Sequence, residues 1–266
     1  MQPMANIALR AARQAGQLIM RAFDRLDQIA VEEKAHNDLV SAVDREAERT
    51  IVDALRKAFP SHGFIGEELG NIPAESEYTW IIDPLDGTTN FLQGIPHFCI
   101  SLAVQKGRQL EHAVIFDPVR NEAFVASRGH GAQLNDRRIR VSTRSRLEEC
   151  VLGTGIPPGA VATHLDPYMD MLKDFTGTCR AIRRAGAAAL DLAYVAAGRT
   201  DGFWEIGLQP WDIAAGTLLV REAGGFVGDF FGGDDFMRSG NIVAANPKCF
   251  RLMVQGLRPH LSPALR

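Results

Sequence analysis

Trp80-Ile81-Ile82-Asp83-Pro84-Leu85-Asp86-Gly87-Thr88-Thr89-Asn90-Phe91 carries an apolar run straight into two carboxylates, a glycine and paired hydroxyls. Trp80, Ile81 and Ile82 read as a buried strand, and Pro84, which cannot donate to a ladder, predicts that the strand stops at Asp83. Asp83 and Asp86 then emerge together at its carboxyl end. Two carboxylates about 5 Å apart repel by roughly 3 kcal/mol at an effective dielectric of about 20, a cost that a divalent cation removes and an apolar core does not. Gly87 permits tight backbone geometry, and Thr88-Thr89-Asn90 can open a helix whose free N–H groups attract phosphate. An Asp-Gly turn with a Thr cap is ordinary by itself. The whole run, with further acids elsewhere, reads as metal ligands beside a phosphate cradle.

Those further acids are Asp44 at a helix start, Glu67 after an Ile-Gly turn and Asp212 after Pro210-Trp211. All are hard oxygen ligands. Each has a plainer use taken singly: Ser41-x-x-Asp44 is a capping box, Glu67 a solvated loop acid, and Asp212 a first-turn helix acid.

The chain of 266 residues is 46% hydrophobic and 23% charged with a net charge of -3, the profile of a globular protein and not of one that coats nucleic acid. Cys99, Cys150, Cys179 and Cys249 form no C-x-x-C pair, so reduced thiols in the cytoplasm are expected. Arg10, Arg13, Gln14 and Arg21 interrupt the first apolar positions, which argues against a secretion signal, and no run reaches the ~18 apolar residues of a membrane span.

Apolar residues at three- and four-residue steps predict helices over residues 6–23 and 41–59. Residues 98–104, 113–116, 122–126 and 139–141 read as a meandering, largely antiparallel sheet. The second half alternates: strands at 151–152, 181–182 and 203–205, helices at 167–174, 187–197 and 211–222, strands at 226–228 and 241–245, and a helix from Pro247. A single domain over 1–266 is expected, its N-terminal half (about 1–145) and C-terminal half (about 146–266) sharing one site.

Gly66-Glu67-Glu68, the run 80–91, Trp211-Asp212-Ile213-Ala214-Ala215-Gly216 and the trailing Glu222-Ala223-Gly224-Gly225 resemble, in order, the signatures of the inositol monophosphatase family. The similarity covers nearly the whole chain. It implies an α/β protein, α+β layered in the αβαβα sugar-phosphatase fold, and a Mg²⁺-dependent phosphomonoesterase acting on inositol monophosphate. By position, the resemblance assigns Glu67, Asp83 and the Leu85 carbonyl to one Mg²⁺, and Asp83, Asp86 and Asp212 to a second. Asp44 and Glu67 are assigned to a weaker third position, beside which Lys34 aligns with a family lysine. Phosphate would sit on the Gly87 and Thr88 N–H groups. Catalytic roles fall to Glu67, Thr88 and Asp44, with Thr88 expected to hydrogen-bond Glu67 while it orients and deprotonates the attacking water. The alcohol would meet Asp86, Gly186, Ala187, Ala188, Glu205 and Asp212. Gln93 stands where many relatives carry a basic or hydroxyl side chain. Lithium inhibition and a homodimer are further implications.

Arg183-Arg184-Ala185-Gly186-Ala187-Ala188-Ala189-Leu190-Asp191-Leu192-Ala193-Tyr194 resembles a bacterial branch of the family implied to act in ribosomal RNA transcription antitermination, through RNA polymerase and Nus factors. Arg183 and Arg184 are the expected subunit or partner contacts. Six arginines, Arg128, Arg137, Arg138, Arg140, Arg144 and Arg146, face one acid, Asp136, over residues 128–146, a surface that suits RNA or an acidic protein or is a solvated rim. Related phosphatases of fructose bisphosphate, phosphoadenosine phosphate or histidinol phosphate are the competing enzymatic readings.

Overall fold

The computed structural model describes residues 1–28, 31–35, 38–262 and 265. A short hairpin of β1 (Val31–Ala35) and β2 (Asp38–Ser41) links helix α1 (Pro3–Phe23) to α2 (Ala42–Ala58). Eight strands follow in a sheet ordered β10-β9-β8-β7-β6-β5-β3-β4: β3 (Gly63–Gly66), β4 (Gly70–Ile72), β5 (Tyr78–Asp86), β6 (Cys99–Lys106), β7 (Gln109–Asp117), β8 (Glu122–Ser127), β9 (Gly131–Leu134) and β10 (Arg137–Arg138). Helix α3 (Thr88–Leu92) leaves the end of β5. A five-stranded sheet ordered β12-β11-β13-β15-β14 contains β11 (Val151–Gly155), β12 (Ala181–Arg183), β13 (Gly202–Glu205), β14 (Phe226–Gly228) and β15 (Ile242–Ala245). Its helices are α4 (Pro158–Thr178), α5 (Ala188–Ala196), α6 (Pro210–Glu222), the short α7 (Phe236–Ser239) and α8 (Pro247–Leu257).

Side-chain alternation stacks these into five layers. Along β5 and β6, Trp80, Ile82, Ile100, Leu102 and Val104 point to one face and pack with the alanine-rich face of α1 and with α2. The intervening Ile81, Cys99 and Ala103 point to the other face, joining α5, α6 and the inner residues Phe203, Ile242 and Ala244 of the smaller sheet. Leu152, Trp204, Val243 and Ala245 face outward against Tyr168, Met171 and Phe175 of α4 and Met253 and Leu257 of α8. The order is helix, sheet, helix, sheet, helix, as the αβαβα expectation required. Ala103, Ala113, Ala126 and Ala132 line the central face of the large sheet, and their small side chains let α5 and α6 lie close to it.

Four local expectations need correction. Pro84 does not end the strand: β5 continues to Asp86, with Asp83 opposite Ser101 and Asp86 opposite Cys99. Pro84 and Leu85 face the single residue Ile100, a bulge that absorbs the missing N–H. The bulge also changes side-chain parity. Residues three apart on a regular strand face opposite ways, but Asp83 and Asp86 pair with residues two apart and so share the face that meets α5 and α6.

The helix expected at 167–174 starts at Pro158, which suits a first helical position, and carries Pro167 inside it. Burial of Tyr168, Met171 and Phe175 on one stripe outweighs the hydrogen bond that Pro167 forfeits. No strand forms at 139–141. Asn135 and Asp136, with φ of 45° and 64°, instead turn β9 into β10, and the chain then leaves the ladder. Ile65-Gly66, expected as a turn into Glu67, instead ends β3 of the β3–β4 hairpin, with β3 parallel to β5.

Candidate active site

A cavity of about 580 Å³ opens where the bulged end of β5, the start of α3, the segment before α5, and the ends of β11 and β13 meet α6. Glu67, Asp83, Asp86 and Asp212 all line it, with Leu85, Gly87, Thr88, Gly186, Ala187, Ala188 and Glu205. Both halves of the chain contribute.

Three aspartates are anchored in the same way. The N–H of Leu85 donates to Asp83 Oδ1 at 2.9 Å, that of Ala189 to Asp86 Oδ2 at 2.7 Å, and that of Gln209 to Asp212 Oδ2 at 2.7 Å. One oxygen of each is thus fixed by backbone, and Asp86 Oδ2 also accepts from the Cys99 thiol at 3.7 Å. The plainer reading of Asp212 as a helix acid holds as well: it caps α6 with one oxygen and faces the cavity with its body.

Burial, then the charges of Glu67, Asp86 and Asp212, hold the Asp83 carboxyl well above its usual range. Burial also pushes Asp86 up to about 6, against the N–H bond from Ala189. Asp212 is raised by burial and by Asp86. No three acidic, imidazole or thiol groups among the described residues are drawn together into a closed coordination shell. Hard oxygens, backbone-anchored and mutually repelling in one cavity, are nevertheless the donor set a hard divalent cation takes.

Thr88 Oγ1 donates to Asp44 Oδ1 at 3.0 Å, with the Leu85 carbonyl as its alternative acceptor at 3.1 Å. The expected bond to Glu67 is not made. Asp44, 1% exposed in the first turn of α2, stands behind Thr88 instead of on the cavity wall. The side chain of Lys34 lies outside the described residues, and Gln93 is an exposed residue at the end of α3.

Gly87 has φ of 95°, and a Cβ there would approach the His97 and Gly186 carbonyls at 3.1 and 3.3 Å. Only glycine lets α3 start that close to the segment before α5. Asn90 fastens the same junction, its Nδ2 donating to the His97 carbonyl at 2.8 Å and the Ala185 carbonyl at 2.9 Å. Sequence reading gave Asn90 no role beyond opening a helix. A lone amide inside a dense motif was the available signal. Asp191 was likewise passed over. It is 3% exposed in α5 and raised by burial and by Asp86.

Across the cavity, Glu205 is raised by burial and then by Asp191, while Arg184 acts the other way. A Cβ at Gly155 would fall 2.3 Å from Glu205 Oε1, so β11 must carry glycine beneath that carboxylate. Gly155→Ala is expected to displace Glu205 and destabilise the fold by about 1–3 kcal/mol. Denaturant unfolding checks this, and an unchanged midpoint refutes it. Both arginines are exposed, but Arg184 lines the cavity and reaches the Ile156 carbonyl at 3.4 Å, whereas Arg183, among the described residues, bonds only the neighbouring Ile182 carbonyl. The two arginines therefore do different things. Within the basic stretch, Arg128 pairs with Glu111, Arg144 with Asp201 and Arg146 with Glu149, so half of that charge is matched by acids elsewhere in the chain.

Five alternating layers with an acidic cavity at the junction of the two sheets define the sugar-phosphatase class of fold. The inositol monophosphatase family matches residues 1–261, and the chain belongs to that family. "Nus factor SuhB" of Pseudomonas aeruginosa is 57% identical over 270 residues, covering 100% of both chains. Among solved structures, extragenic suppressor protein suhB from Bartonella henselae is 46% identical, with a TM-score of 0.93 over 96% of this chain and 98% of that one. The IMPase of Thermotoga maritima is 39% identical, with a TM-score of 0.87 over 96% of each. No helix among the described residues is long and apolar enough to cross a membrane.

Proposed function

We propose that this protein is a Mg²⁺-dependent phosphomonoesterase that hydrolyses inositol monophosphate to inositol and phosphate, working in the cytoplasm. One observation carries the reading: acids from β3's end, β5 and α6 line one cavity, those of β5 and α6 each anchored by a backbone N–H group. Glu67, Asp83 and the Leu85 carbonyl would hold one Mg²⁺, Asp83, Asp86 and Asp212 a second, and Glu67 with Asp44 a weaker third. Bound there, such cations activate water and stabilise the charge that develops on attacking and departing oxygens.

The protein's own groups do the rest. Gly87 and Thr88, at the cavity wall, take the phosphate oxygens on their backbone N–H groups. Thr88 Oγ1 accepts a proton from the attacking water while passing its own to Asp44 Oδ1, along the hydrogen bond it already makes. Glu67 supports that water from the other side. Asp86, Asp212 and Glu205 accept from the hydroxyls of the alcohol, and the backbone at Gly186, Ala187 and Ala188 closes over it. Thr88→Val removes the relay but not the cradle, so kcat is expected to fall about 10²-fold with KM little changed. A larger change in KM than in kcat would contradict that role.

Arg184 is, among the described residues, the one cation lining the cavity, and it stands with the buried Glu205 in a lining otherwise rich in carboxylates. This favours a neutral polyol over a second phosphate or a nucleotide. Phosphate release from inositol monophosphate, fructose bisphosphate, phosphoadenosine phosphate and histidinol phosphate, with and without Mg²⁺ and with Li⁺, tests the reading. Equal release in the absence of Mg²⁺ would end it.

A second role rests on the full-length relative named "Nus factor SuhB". In that reading the protein, as a homodimer, also binds RNA polymerase and Nus factors or RNA in ribosomal RNA transcription. Exposed Arg183 is the better probe, because Arg184 also borders the cavity. Arg183→Ala should weaken co-purification with a transcription complex and spare phosphate release.

A further inference from the structure

A second cavity, of about 990 Å³, lies at the opposite end of α6 from Asp212, between the turn joining β6 to β7, the end of β8 and the α7 segment. It shares no lining residue with the catalytic cavity. Four guanidinium groups border it: Arg108, Arg128, Arg221 and Arg238. Leu110, Leu218, Phe236 and Met237 give it an apolar wall, and the Arg221 guanidinium lies 5.4 Å from the centre of the Phe236 ring. At its floor is Thr217, 0% exposed, whose hydroxyl has no hydrogen-bond partner among the described residues. A buried hydroxyl left unpaired costs about 1–3 kcal/mol, and this one forgoes even the carbonyl one turn back in its helix.

Arg128 keeps its partner Glu111 at 3.3 Å, but the acids beside the other arginines do not neutralise them firmly. Glu222 is committed to the N–H groups of Gly129 and Gly131, at 2.8 and 2.7 Å. Asp234, which pairs with Arg221 at 3.1 Å, has a side chain 91% exposed, and the Arg238–Asp235 pair is exposed on both sides. Arg108 is exposed and has no partner among the described residues. Exposed pairs contribute about 0–1 kcal/mol, so a ligand anion able to take two N–H groups of a guanidinium can replace them.

We propose that this cavity is a second binding site, for a small organic phosphate with a flat or apolar body of nucleotide size. The guanidinium groups take the phosphate, the Leu110–Leu218–Phe236–Met237 wall takes the body, and Thr217 supplies the buried polar contact. The volume is that of a site for a small molecule. The inference does not depend on the phosphatase reading.

Calorimetric titration of the full chain with ADP, in EDTA to disable the catalytic site, tests it. One saturable site per chain is expected, with adenosine and pyrophosphate each binding at least about tenfold more weakly. Arg108→Ala and Arg221→Ala should each weaken ADP by about tenfold, and Thr217→Val by about threefold, with melting of the unliganded variants checked to confirm folding. Asp83→Asn should leave ADP affinity unchanged. Absence of saturation, equal binding of pyrophosphate, indifference to both arginine variants, or loss of ADP binding in Asp83→Asn would each overturn the proposal.

Discussion

Asp83→Asn will fold, will lose Mg²⁺-dependent phosphate release by at least about 10³-fold, and will melt at a higher temperature than the parent when both are free of metal. The first effect amounts to about 4 kcal/mol of transition-state stabilisation. It follows from the position of Asp83, which is 2% exposed at the cavity and lies within the fields of Glu67, Asp86 and Asp212. The amide keeps the acceptor that the Leu85 N–H requires, so the bulge should survive. The second effect is the more diagnostic. Burial and three like charges disfavour an ionised Asp83, and a neutral amide removes that cost. A metal-binding carboxylate held against its own electrostatics, as proposed for Asp83, should stabilise the protein when neutralised and inactivate it at once. Phosphate release within about tenfold of the parent would refute the assigned ligand role.

The second large effect is a pH-dependent response to Mg²⁺. Asp86 ionises near 6 in the folded protein, against 3.8 ordinarily, and Asp83, Asp212 and Glu205 are raised as well. As pH rises through this window the unfolded chain gives up its protons first, so the folded state binds more of them. Stability contributed by the cluster therefore falls with rising pH: the penalty is absent below about pH 4 and complete above the folded values. For Asp86 alone the shift corresponds to roughly 3 kcal/mol at about 1.36 kcal/mol per pKa unit. Its partial exposure to the cavity makes that an upper bound. A cation competes with those protons, so saturating Mg²⁺ should raise the melting temperature by several degrees at pH 8 and by much less at pH 5. The Asp86→Asn variant should lose most of the difference. Equal Mg²⁺ shifts at both pH values in the parent protein would contradict the linkage.

Much of the site was legible because its acids sit in short, chemically dense motifs. Trp80-Ile81-Ile82 is apolar enough to be a buried strand in any fold, and two carboxylates with a glycine behind it leave few uses. Helices α1, α2 and α8 follow apolar spacing closely, because each buries one stripe against a sheet, whereas α5 and α6 lie between the two sheets and are buried on nearly all sides. The errors fell where a local rule competed with packing. Pro84 is a strand breaker by its own chemistry, yet a bulge accommodates it. Pro167 argues against helix interior, yet α4 gains three buried side chains by continuing. Asn135-Asp136 turns the chain as its residue types suggest, but the apolar Ile139 and Val141 draw the expected strand too far along.

Residue order alone settled which side chains can bind a hard cation, where the layers' apolar faces lie and which family the motifs resemble, since all three depend on side-chain type and near-neighbour spacing. Three-dimensional packing decided that Asp83 and Asp86 share a face, that Thr88 turns to Asp44 and not to Glu67, and that Arg184 enters the cavity while Arg183 leaves it. Each of those outcomes depends on strand parity or on contact between segments tens of residues apart. A one-residue bulge reverses the parity, and no local pattern encodes those distant contacts.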